Sequence, residues 1–147
     1  LNIYLSKEIN GLFLTMYIEN KIKHPCPLKA LKTDPYSLGI FNKKVDFILE
    51  PLEYNEVDKC LILAKKINGI ISYIFIFELE LLDEENLDLI YKNFTTFVLK
   101  LREGNFREAE LLIICKEISP SAKEIISTYN QTYIYRPPIT IVINEHS

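Results

Sequence analysis

The sequence predicts an α/β domain with a single mixed sheet, an antiparallel meander followed by parallel βαβ units, flanked by helices. Three observations predict it. The run Ile70 to Leu82 is apolar on both of its alternating faces, the pattern of a strand covered on two sides. Asn68-Gly69, just before it, is a strong signal for a two-residue hairpin turn. Beyond it, stretches with a 3.6-residue apolar period alternate with short apolar runs, and that alternation demands crossover helices and a locally parallel sheet. A length of 147 residues suits one domain and one core, taken as 1–147.

The elements follow in order. Ser6 to Lys23 is expected to be a helix, because Leu5, Ile9, Leu12, Phe13 and Met16 form one apolar stripe and Ser6 can cap it. His24-Pro25-Cys26-Pro27 should stop that helix, and a Lys-rich connector with Pro35 and Gly39 as turn signals follows. Val45 to Tyr54 is the first meander strand, and Pro51 inside it argues for an edge or a bulge. Lys59 to Ile67 is the second strand and Ile70 to Leu82 the third and central one. Asp83 should cap the next helix, with Glu84 and Glu85 in its first turn and a stripe from Leu87 to Leu101. Gly104-Asn105 should end it. Glu110 to Lys116 is a short buried strand, parallel to its neighbour. Ser119-Pro120 opens a last helix that buries Ala122, Ile125, Ile126 and Tyr129. Thr132 to Arg136 and Ile139 to Ile143 are the final strands, broken by Pro137-Pro138.

Composition narrows the class. The chain is 48% hydrophobic and 25% charged, which is ordinary for a globular domain. The apolar run Ile70 to Phe77 ends at Glu78, far short of the about 20 residues a membrane span needs, so no membrane partner is expected. No signal peptide pattern opens the sequence, and the leading Leu1 is read as a trimmed start. Cys26, Cys60 and Cys115 form no CxxC pair, and Cys115 closes an apolar run, so three free thiols and a reducing, cytoplasmic setting are expected. A single Gln with many Lys and Glu matches thermophile usage, or an AT-rich genome. Net charge is −3, whereas a domain living mainly on phosphates is usually basic. The charge is uneven: Lys21 to Lys44 holds six Lys against one Asp, and Glu78 to Asp88 holds six acids and no base. Such runs are ordinarily solvated faces.

Several chemistries are excluded. The four glycines, at 11, 39, 69 and 104, are too far apart for a phosphate-cradling loop. There is no GxSxG elbow, and His24 and His146 are the only histidines, so a His-based triad or multi-His metal site has no support. Carboxylates remain. By strand alternation Glu78 and Glu80 share a face, roughly 7 Å apart. They lie near the C-terminal end of a covered strand, where open α/β sheets place ligands. Asp58, at the start of the preceding hairpin strand, can come near Glu78, and Glu8 can reach in; Asp46 is a rival to Asp58. Hard oxygen donors of this kind suit Mg²⁺ or Mn²⁺. The alternative is that the strand emerges into water there and the acids are its wet end.

In the order and type of its elements the chain resembles the restriction-endonuclease-like, PD-(D/E)XK nuclease family over nearly its whole length. Val57-Asp58 falls at the family's Pro-Asp pair, Glu78-Leu79-Glu80 at its (D/E)-x-K, and Glu8 at its helical Glu. The motif Lys is replaced by Glu80, and Lys116 or Lys92 stands as a substitute cation from a neighbouring element. The resemblance implies a metal-dependent nuclease-like domain acting on DNA. In it Asp58 and Glu78 hold the metal, Glu80 orients or activates water, and Glu8 and Lys116 support the site. The competing expectation is a non-catalytic interaction or scaffold domain on a degenerate nuclease fold, with a protein partner or homodimer. A third is a small archaeal or viral regulatory domain with no ligand.

Overall fold

The computed structural model describes residues 2–9, 12–101, 108–132 and 138–147. The elements are β1 (Asn2–Ile9), β2 (Leu12–Ile22), α1 (Pro27–Thr33), β3 (Asp46–Phe47), β4 (Glu53–Asn55), β5 (Cys60–Ile67), β6 (Ile70–Leu82), α2 (Glu84–Leu101), β7 (Glu108–Ile118), α3 (Pro120–Thr132) and β8 (Thr140–Asn144). The strands build one mixed sheet in the order β1-β2-β8-β7-β6-β5-β3, with β4 also paired to β5.

The meander forms as its sequence requires. Asn68 and Gly69 both take positive φ, 52° and 79°, so β5 and β6 pair tightly from Ile67↔Ile70 to Cys60↔Phe77. The expected Val45 to Tyr54 strand divides into β3 and β4, both on the same edge of β5. Pro51 lies in the gap, where it needs no ladder partner for its missing N–H. After β6, the Asp83 carboxylate accepts the Asn86 N–H at 2.8 Å and starts α2, the crossover that returns the chain parallel. β7 lies parallel to β6, with Phe75↔Leu111 and Phe77↔Ile113 in register. Ser119 Oγ caps α3 through the Ala122 N–H at 3.2 Å, and β8 then adds parallel to β7.

Two regions depart from expectation. Where a helix over 6–23 is expected, the described residues are strands: β1 and β2 pair antiparallel from Asn2↔Glu19 to Ile9↔Leu12. The segment is rich in β-branched and aromatic residues, and Asn10-Gly11 between the strands is the same hairpin signal as Asn68-Gly69. β2 then runs parallel to β8, with Ile22 opposite Asn144. The second departure is α1. The sequence presents Pro25 and Pro27 as a stop, yet Pro27 opens a helix, because the first helical position needs no N–H. The expected stop at Gly104-Asn105 and all but Thr132 of the expected strand Thr132 to Arg136 lie outside the described residues; Thr132 itself closes α3.

Alternation along β6 divides the core. Phe75 faces α2 and α3 with Ile62, Ile113 and Ile141, and Leu87, Phe94 and Ile126 close over them. Ile74 and Ile76 face the other side with Leu61, Leu63 and Ile114, where Leu28 and Leu31 of α1 cover them. Cys115 is buried, and all three thiols are free. Among the described residues no helix is long and apolar enough to cross a membrane.

Candidate functional site

The hairpin register brings the start of β5 and the end of β6 to one rim of the sheet, where the Glu78 N–H donates to the Lys59 carbonyl at 3.0 Å. A turn holds Asp58 there. Asn55 Oδ1 accepts the N–H groups of Val57 and Asp58, at 3.0 and 2.9 Å, and Asn55 Nδ2 donates to Asp58 Oδ2 at 2.9 Å. Lys59, in the left-handed region at φ 52°, then feeds the chain into β5.

Between this rim and α2 lies a cleft of about 520 Å³. Glu53 and Asp58 supply its charge, Glu78 borders it at the rim, Asn86 and Asn93 of α2 line it, and Phe75, Phe77 and Phe97 contribute to its apolar lining. No Lys or Arg lines it among the described residues. The field of the acids registers on Cys60: burial, reinforced by Glu53 and then Asp58, pushes its thiol up to about 11. A protonated, half-buried thiol of this kind is a poor nucleophile.

Glu78 has a second set of neighbours. By alternation it lies on the α1 face, and with Cys26, Lys29, Tyr54 and Lys59 it borders a small niche of about 60 Å³. Its carboxyl is raised above the ordinary carboxylate range by burial, against the opposing pull of Lys59 and Lys116 and with a further push from Glu80. Glu80 and Lys116 fall abreast between the register pairs Leu79↔Cys115 and Leu81↔Glu117. Glu78, Glu80 and Lys116 are therefore brought together on the α1 face, and Asp58 stands at the same rim on the side of α2.

The other expected residues are placed elsewhere. Glu8 is on β1, opposite Phe13, and β2, β8 and β7 separate that strand from β6. Asp46 pairs with Lys66 at the far end of β5, so Asp58 is the acid at the Glu78 rim. Lys92 is engaged by Asp88 one turn away on α2, at 2.9 Å. Among the described residues no group of three or more His, Cys, Asp or Glu side chains is arranged to hold a metal ion.

Sequence reasoning missed Glu53, Asn55, Asn86 and Asn93. The one local signal was Asn55-x-x-Asp58, a spacing at which an Asn side chain can fold back on its own turn. The two Asn residues of α2 carry no signal, since their role comes from a cleft between elements distant in sequence. No protein-family model, no curated protein and no solved structure matches the chain.

Proposed function

We propose that this chain is a non-catalytic interaction domain on a nuclease-like fold, and that the cleft at the β5–β6 rim receives a cationic side chain of a protein partner. One observation carries the reading: the charged side chains of the cleft, Glu53 and Asp58, are both acidic and stand beside aromatic rings. Carboxylates attract an ammonium or guanidinium, and ring faces favour the same cation. A phosphodiester would meet like charge there. The finer description as restriction-endonuclease-like is supported by the order β3 and β4, β5, β6, α2, β7, a meander followed by a crossover helix and a parallel strand.

The active nuclease remains the second reading, favoured by Asp58 and Glu78 meeting at one rim. It also draws on exposed Lys29, Lys32, Lys43 and Lys44, which would face phosphates. One set of measurements separates the two. Titration with N-acetyl-arginine amide should shift the amide resonances of residues 53–60 and 86–93, and Glu53→Gln with Asp58→Asn should abolish the shifts. Millimolar Mn²⁺ should leave both thermal stability and DNA unchanged. A bound metal at a hundredfold excess over its dissociation constant would instead stabilise by about 2.7 kcal/mol. DNA cleavage in Mn²⁺ that disappears in Glu78→Gln would replace the interaction reading with the nuclease.

A further inference from the structure

The two crossover helices, α2 and α3, line a second cavity with none of the residues that line the acidic cleft. They meet through the rings of Tyr91 and Tyr129, edge to face with centroids 5.8 Å apart, and beside that contact a groove of about 770 Å³ opens. Its floor includes core residues Leu87 and Ile139, each 3% exposed. The wall of α3 carries Ile125, which is 41% exposed although it is a large apolar side chain. Along the α2 wall stand exposed Glu84, Glu85 and Asp88, the last paired on its own helix with Lys92, and no Lys or Arg lines the groove among the described residues. The helix macrodipole accounts for acids in the first turn of α2. It does not account for an apolar trench beside them.

We propose that this groove docks a basic amphipathic helix of a partner protein. The volume holds several side chains, too much for one ion and suited to the apolar anchors that a helix presents at i, i+3, i+4 and i+7. The three acids line one wall, so a helix with its apolar stripe in the trench and Lys or Arg beside that stripe satisfies both features. Charge complementarity fixes its orientation and speeds its encounter. A nucleic acid is repelled by the same wall, and a second copy of this chain would have to bring its own Lys-rich segment.

The probe is a synthetic amphipathic helix of about 16 residues, long enough to be helical when bound, with a Leu stripe flanked by Lys. Its control carries Glu at every Lys position. Fluorescence anisotropy with the whole chain should show binding of the Lys peptide and none of the Glu peptide. Ile125→Asp, a change at an exposed position, should weaken binding at least about tenfold, as expected for loss of an anchor. Glu85→Gln with Asp88→Asn should weaken it and reduce its salt dependence. Glu53→Gln with Asp58→Asn should leave it unchanged, which separates this groove from the acidic cleft. Equal binding of the two peptides, no binding, or full affinity in Ile125→Asp overturns the proposal. So does sedimentation that reveals a dimer of the chain disrupted by Ile125→Asp, because the groove would then be occupied by a second copy.

Discussion

The two faces of the sheet are covered in different ways. One carries α2 and α3, of 18 and 13 residues, which satisfy their own backbone and need only an apolar stripe to dock. Phe75 reaches up from β6 between Phe94 and Phe97, with ring centroids 5.2 and 4.5 Å away. The other face is covered by residues 27–45, of which only the seven of α1 are helical. That cover is fastened by individual side chains. Leu28 and Leu31 are buried, Tyr36 and Phe41 pack edge-on against Phe47 at 5.5 and 5.1 Å, and the Tyr36 hydroxyl donates to the Val45 carbonyl. A helical lid distributes its docking along a stripe, whereas an irregular lid depends on a few anchors. The candidate sites follow this division: both the acidic cleft and the groove lie beside α2, while the Lys-bearing connector lies over the opposite face.

The sharpest test truncates one anchor on each side. Phe75→Ala should cost about 3–5 kcal/mol and Leu31→Ala about 2–4, read from urea midpoints at constant slope. Hydrogen exchange distinguishes the covers further. Leu31→Ala should speed exchange of residues 34–45 while leaving β6 protected, as a locally opening unit does. Loss of protection along β6 in that variant would mean that both covers unfold as one, and the comparison would fail.

A smaller effect concerns how each side is tied to β8. On the helical side Asn130 is buried, and its amide both accepts the Ile139 N–H at 2.9 Å and donates to the Ile139 carbonyl at 3.3 Å. At the other end Asn144 accepts the His24 N–H at 3.2 Å and donates to the His24 carbonyl at 2.9 Å, binding β8 to the start of the connector. Each amide imitates a strand neighbour. Asn130→Ala leaves a buried N–H and C=O without these partners and should cost about 2–3 kcal/mol. Asn144→Ala, whose partners are partly solvated, should cost about 1–2. The reverse order in thermal melts would show the connector to be the more rigid cover.

The smallest effect is a pH dependence at the rim joining the two faces. Burial raises the Glu78 carboxyl above its ordinary 4.5, so the folded state holds its proton more tightly than the unfolded state does. The sign follows: stability is greatest below the unfolded value and falls as pH rises from there through the folded value. Glu78→Gln should flatten that part of the profile. An unchanged slope in the variant would place the titration elsewhere.

Much of this architecture is legible in the sequence, because the pattern of apolar residues separates helices from strands. α2 and α3 carry a period of 3.6, with caps at Asp83 and Ser119 to mark their starts, whereas β6 and β7 are near-continuous apolar runs and Asn68-Gly69 marks the β5–β6 hairpin. The hairpin register also made it readable that Asp58 and Glu78 would end at one rim. The N-terminal hairpin was not readable by the same means. In a chain that is 48% hydrophobic, apolar residues spaced three and four apart also arise within strands, and pairing with β8 selects the extended form. α1 is too short to display a period. Where Glu8 lies relative to Glu78, which acid joins the rim, and that Asn86 and Asn93 line the same cleft as Asp58 depend on the order of strands across the sheet and on the seating of a helix. Those are contacts between residues distant along the chain, set by the burial of both sheet faces together, and only the folded arrangement decides them.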